Sequence, residues 1–338
     1  MKKLISILIL STLIIPFIPF NINAGEKVIY GSDDRLDYNK MSTSMKTLSE
    51  SVVSLWKSYD ITLEGDSYKL ATTNFGDTVG LCPEERFKEQ KMGAFCSGTL
   101  VGEDMIMTAG HCIKNEFDCA NTKFVFGFAI KDAEKGAPDN INKTEVYSCK
   151  NIVKRYLGNE PGEEDDDNLG ADYALVKLDR AVKEHAPLSI NRGTKAITQG
   201  TNLFVIGHPV GLPAKLAGGA SVRTSEEHKG FFVANLDTYG GNSGSAVFNT
   251  KTNLIEGILV RGETDFVSTA EGCRISNVVL SNGGRGEDVT RISVLSSFIP
   301  ELSKKTPTAN ETTATDMNVA NLFDGEMGDF SIPMPVFE

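Results

Sequence analysis

"YGGNSGSAVF", residues 239–248, packs three glycines and two serines just ahead of a short apolar run. The stretch reads in two ways. One is a Gly-rich hairpin turn that leads into a strand. The other is a tight turn that holds Ser243 out as a nucleophile. A serine hydroxyl is a poor nucleophile near neutral pH, so the second reading needs a base, and an acid to hold that base in its working tautomer.

The base must come from four histidines: His111, His185, His208 and His228. His111 sits in "MIMTAGHC", at the end of an apolar strand and beside a cysteine. An acid stands at Asp172, where "DYALVKL" opens a buried-looking strand and keeps the carboxylate from bulk water. Each signal alone is modest, since a lone histidine is more often structural than catalytic. "TAGHC", "DYALVKL" and "GGNSGS" occur in that order, each in a strand-like setting, and together they favour the nucleophile.

The rest of the chain sets bounds. Its 338 residues are 40% hydrophobic and 23% charged, a globular composition. The net charge of -11 lacks the basic footprint of a nucleic-acid or anionic-membrane binder. Lys2 and Lys3, the run "LISILILSTLIIPFIPF" and the small residue Ala24 follow the order of an export signal, with residues 1–24 removed. Pro16 and Pro19 interrupt the run, which argues against a membrane anchor. In an exported chain the six cysteines favour disulfides, and no CxxC pair or zinc spacing with histidine occurs, so no metal and no cofactor are expected.

Short apolar runs broken by glycine and polar residues dominate from about residue 28 to 303. "FCSGTLVG", "MIMTAGHC", "KFVFGFAI", "YALVKL", "NLFVIGHPVG", "GFFVANLD", "SAVFN" and "LIEGILVRG" each fit a strand, which predicts an all-β sandwich or barrel. Helical periodicity is confined to "MKTLSESVVSLWKSY" and "ISVLSSFIPELSK". The acidic run Glu163 to Asp167 reads as a solvated loop, and the Thr-rich acidic segment 304–338 as a disordered tail. Asn142-Lys143-Thr144 and Asn310-Glu311-Thr312 match glycan acceptors, a tripeptide common by chance.

At its three motifs the chain resembles the chymotrypsin-fold (trypsin-like) serine peptidases. "FCSGTLVGEDMIMTAGHC" is similar to the family's histidine loop, "DYALVKL" to its aspartate strand and "GNSGS" to its serine motif, over roughly residues 28–300. "VIYGSDDR" and "DTYGGNSGS" look most like bacterial glutamyl endopeptidases and related secreted peptidases. The resemblance implies two six-stranded antiparallel β-barrels, about 28–190 and 195–303 within a 25–303 domain, with the active site in the cleft between them. It implies a His111, Asp172, Ser243 triad, an oxyanion hole from the backbone N–H groups of Gly241 and Ser243, and a disulfide between Cys96 and Cys112. The other four cysteines keep three pairings, and "LCPEERFKEQKMGAFC" reads as an insertion without a place.

The resemblance also implies a secreted or periplasmic monomer acting on protein or peptide substrates, with no nucleic-acid partner and no membrane anchor after signal cleavage. "VIYG" resembles a zymogen's new N-terminus, freed by cleavage after Lys27. Asn242 stands where trypsin-type enzymes carry the aspartate that pairs with the freed amine, so the usual ion-pair switch is expected to be absent. Specificity divides between two readings. Asp237, six residues before Ser243, fits a pocket for basic residues. Thr238 matches a pocket threonine of the glutamyl enzymes, but Leu259 replaces their pocket histidine, and Arg261 is the remaining positive charge for an acidic substrate. The competing functional reading is a catalytically silent relative used for binding or regulation. An α/β-hydrolase is disfavoured, because its motifs run Ser, acid, His.

Overall fold

The computed structural model describes residues 28–158, 170–226 and 229–302. The expected export signal, the Lys27 cleavage point, the acidic run 163–167, His228, the Asn310 acceptor and the tail 304–338 lie outside the described residues.

Two six-stranded antiparallel barrels make up the body. The first holds β1 (Val52–Lys57), β2 (Cys96–Gly102), β3 (Met105–Thr108), β4 (Thr122–Val125), β5 (Val146–Leu157) and β6 (Asp172–Leu178), closed in the order β4-β5-β6-β3-β2-β1. The second holds β7 (Asn202–Gly207), β8 (Lys215–Thr224), β9 (Phe231–Ala234), β10 (Ala246–Asn249), β11 (Ile255–Arg261) and β12 (Glu287–Arg291). Its order is β7-β10-β11-β12-β9-β8, and β7 pairs with β8 to close it. Closure removes the exposed edges that open sheets must otherwise protect.

Side chains alternate across each strand, and this period sorts them between two cores. Leu203 and Val205 point into the second barrel with Phe232, Val247, Leu259 and Val289. Their neighbours Phe204 and Ile206 face the other way. They join Phe248, Ile258 and Val260 in the larger core, which also takes Leu100, Ile106 and Leu175 from the first barrel. The barrels therefore share one apolar interface, and the two motif-bearing regions meet at its rim.

"MKTLSESVVSLWKSY" is helical only in its first part. Thr43–Ser49 is a helix with Ser42 at its N-cap, and Val52–Lys57 is strand β1. Apolar residues at 52, 53, 55 and 56 suit either period, and here Val52, Val53, Leu55 and Trp56 are all buried. Burial on both faces and the two β-branched residues favour the strand. "ISVLSSFIPELSK" likewise forms only short 3-10 turns, Ile292–Val294 and Ser296–Phe298.

Residues 28–37, assigned from sequence to the first barrel, make their pairings elsewhere. Ile29–Tyr30 runs parallel to Val278–Val279, and Leu36–Asp37 pairs with Lys215–Leu216 of β8. Between them Arg35 is 1% exposed, bonded through Nε and Nη2 to Asp33 and 4.0 Å above the Tyr239 ring. The insertion also has a place. Asn74 caps the helix Phe75–Val79, Gly80 ends it in the left-handed conformation, and Cys82 is bonded to Cys273, 191 residues away. The remaining bridges are Cys96–Cys112 and Cys119–Cys149.

Candidate active site

Each of the three motif residues is delivered by a different part of this frame. His111 follows β3, Asp172 opens β6, and Ser243 lies in the turn just before β10. Asp172 is 1% exposed and all its polar atoms are engaged. Its Oδ1 accepts the backbone N–H groups of Gly110 (2.6 Å) and His111 (3.1 Å), and its Oδ2 lies 2.6 Å from His111 Nδ1. The Asp172 backbone is gripped from the second barrel. Thr290 Oγ1 accepts its N–H at 2.9 Å and donates to its carbonyl at 2.8 Å. One carboxylate thus fixes both the loop that carries His111 and the orientation of the imidazole.

The Ser243 turn is pressed against the first barrel. Ser97 N–H donates to Ser243 O (2.9 Å), and the Cys112 sulfur lies 3.8 Å from that oxygen. Gly244, at φ +90°, sits so close to Ser97 O and Thr108 Oγ1 that any Cβ would overlap them. Gly241, at φ +80°, is confined less tightly. A Cβ there would come within 2.9 Å of Gly211 N and His208 O and 3.0 Å of Val210 N. L-residues with side chains disfavour this region, and here the neighbours leave no room.

Two groups that sequence reading missed hold the turn in place. Ser97 Oγ donates to Gly241 O (2.8 Å) and accepts His208 N–H (2.9 Å), while Val210 N–H donates to Gly240 O. His208 is fully buried, with its Nδ1 3.0 Å from Leu212 O. Burial lowers its pKa to about 4, so it serves as a neutral prop. Ser97 was visible only as part of "FCSG", and nothing in that tetrapeptide marks a residue bonded across to the other barrel.

Ser243, Gly240, Gly241 and His111 line one cleft of about 540 Å³, together with the Cys96–Cys112 bridge. The two sulfurs and a His111 ring nitrogen lie within 4.8 Å of one another. The sulfurs are bonded to each other, so they offer no thiolate to a metal.

The specificity candidates are placed as follows. Asp237 is 3% exposed. It accepts the backbone N–H of Tyr30 (2.7 Å) and of Asp34 (3.3 Å), and burial raises its pKa to about 6 despite those donors. Thr238 Oγ1 donates to Glu287 Oε2 at 3.1 Å. Leu259 is packed inside the second barrel. Arg261 directs Nε to Asp288 Oδ2 (3.0 Å) and Nη2 to Gly170 O (2.5 Å). Glu287 escaped the sequence reading because "EDVTR" looks like a polar turn, yet every residue of this strand is buried. Its carboxylate lies against Gly262, where a Cβ would strike it. Asn242 is buried, and its Oδ1 accepts from Ser245 Oγ at 3.4 Å. The Val28 carbonyl accepts Thr238 N–H at 3.4 Å.

The trypsin-like peptidase domain family model matches residues 96–258. Its two closed six-stranded barrels give the chain a chymotrypsin-like fold, and residues 96–258 are similar to the trypsin-like peptidases. Among individual proteins it is similar to snake venom serine proteinase 5 of Crotalus adamanteus, 35% identical over 99 residues, or 28% of this chain and 32% of that protein. It is also similar to the venom plasminogen activator GPV-PA of Trimeresurus albolabris, 33% identical over 29% of this chain and 33% of that protein. The chain thus spans about a third of the length of these curated relatives. Among solved structures it is similar to the VesB protease of Vibrio cholerae (16% identity, TM-score 0.45, 81% of this chain and 67% of that one). A Glu endopeptidase gives 18% identity and TM-score 0.42, over 79% of this chain and 96% of that one.

Proposed function

We propose that the chain is an exported serine endopeptidase that hydrolyses peptide bonds through an acyl-enzyme, with His111, Asp172 and Ser243 as its triad. The observation that carries this reading is the 2.6 Å contact between Asp172 Oδ2 and His111 Nδ1, at a cleft that His111 shares with Ser243. In that contact Nδ1 is the donor, which leaves Nε2 with the lone pair a general base uses. Ser243 Oγ attacks the scissile carbonyl as His111 takes its proton. The tetrahedral oxyanion is held by the N–H groups of Gly241 and Ser243. His111 then hands the proton to the leaving amine, and water repeats the cycle on the acyl-enzyme.

Cleavage follows basic residues. Thr238 donates to the carboxylate of Glu287, and the neighbouring residue is the buried Asp237. The positive charge that an acidic substrate needs is absent from Leu259, and Arg261 is committed to Asp288 and Gly170. The three disulfides and the signal-like N-terminus support action outside the cytoplasm. Digesting a reduced, unfolded protein and sequencing the products by mass spectrometry tests the preference. Termini at Lys and Arg are expected, and they fall off in Glu287→Gln. Products ending in Glu or Asp contradict the assignment.

A further inference from the structure

We propose that the leaving-group side of this cleft selects an acidic residue just C-terminal to the cleaved bond, through Lys57 and Lys114. The proposal rests on the peptidase reading above and extends it to a second feature of the substrate.

The direction of the bound chain follows from the chemistry. His111 must pass its proton to the leaving amine, so residues beyond the scissile bond lie on the His111 side of Ser243. That side is the cleft of about 540 Å³, and Asp237, Thr238, Glu287 and the strand Ile255–Arg261 do not line it. Beyond His111 and the Cys96–Cys112 bridge, its walls are Lys57, Phe95, Lys114, Asn115 and Asp118.

Their surroundings set the side chain of Lys57 and the backbone of Lys114. Lys57 ends β1, and its ammonium stands 4.0 Å above the Phe95 ring. Phe95 N–H donates to Leu55 O at 2.9 Å, which fixes the backbone under that ring. Lys114 lies two residues after Cys112, and its backbone N–H donates to Asp118 Oδ2 at 3.1 Å. Asp118 is itself held at the start of a helical turn, where its N–H donates to Asn115 Oδ1 at 2.9 Å. One of its carboxylate oxygens is thus engaged at the wall, where its single negative charge stands against the two lysines. Among the described residues neither lysine ammonium lies within 4.0 Å of a carboxylate, although Asp60 is close enough to feel the charge of Lys57. A protein with a net charge of -11 thus places two lysines in the wall of the cleft that holds its candidate nucleophile. An incoming carboxylate is drawn to them, and an incoming lysine is repelled.

The test uses quenched fluorescent peptides of one acyl half, with Glu, Gln or Lys as the first residue after the bond. In the parent, kcat/KM should run Glu above Gln above Lys, with Glu over Lys by about tenfold at low salt, narrowing in about 0.5 M salt, since each solvent-accessible pair contributes on the order of a few-fold. Lys57→Glu and Lys114→Glu should each lose the preference for Glu, and Lys57→Arg should keep it, which separates charge from misfolding. A parent that cleaves all three peptides equally, or variants that keep the parent's order, overturn the proposal. A correctly processed parent that cleaves none and takes up no fluorophosphonate overturns the peptidase reading, and this proposal with it.

Discussion

At the scale of single residues, the candidate site depends on groups that have no freedom to move. Asp172 spends one oxygen on two backbone N–H groups and the other on His111. Gly241 has no room for a side chain at φ +80°. Gly241→Ala is therefore expected to turn the 241 N–H away from the oxyanion, lowering kcat by about 10² to 10³-fold, the usual effect of losing one such donor. KM should change little, because the substrate's ground-state contacts lie elsewhere. Steady-state kinetics on one peptide checks this, and a variant with full kcat removes Gly241 from the oxyanion hole. The three residues proposed as nucleophile, base and acid were legible as candidates because each such role needs a recognisable residue type in a recognisable setting. Ser97, Thr290 and Glu287 were not. Their roles come from contacts across 144, 118 and 49 residues of sequence, which no local pattern records.

At the scale of elements, strands were easier to read than their pairings. Runs such as "SAVFN" and "NLFVIG" alternate cleanly between two cores. The twelve-residue strand β5 hid behind the exposed Lys150 and Lys154 and the half-buried Arg155, and β12 hid because its charged side chains are paired inside the fold. Residues 28–37 show the same difficulty, since a strap held by buried ionic groups looks like a polar loop in sequence. The strap carries a pH signature. Burial, followed by the charges of Asp237 and Asp33, raises the Asp34 pKa from 3.8 to about 7. Between those values the unfolded chain has released a proton that the folded chain keeps. The stability tied to Asp34 is therefore full at low pH and lost as pH rises through about 7. Asp34→Asn keeps an acceptor oxygen without the charge. The stability of the variant relative to the parent should grow between pH 4 and 7 by about 2–4 kcal/mol, then stay level. His208, whose lowered pKa acts with the opposite slope in part of this range, is common to both proteins and cancels in the difference. Urea unfolding across the range checks the trend, and parallel curves for the two proteins contradict it.

At the scale of the whole molecule, the two barrels are interdependent. The Asp172 backbone is bonded to Thr290, Ser243 O to Ser97 N–H, and the apolar core between the barrels is continuous. Cys82–Cys273 ties the insertion to the segment following β11, and the strap closes over Tyr239 beside the Ser243 turn. The site is thus assembled by the complete fold, and it is the assembled state that a mechanism-based reagent detects. The most direct measurement is fluorophosphonate labelling of the processed chain, read by intact mass, beside Ser243→Ala and Asp172→Asn. The account predicts one adduct, on Ser243, in the parent. It predicts none in Ser243→Ala, and labelling slowed by about 10⁴-fold in Asp172→Asn, where the imidazole loses its working tautomer. A folded parent that takes up no reagent, or one that labels equally fast without the Asp172 carboxylate, contradicts the triad.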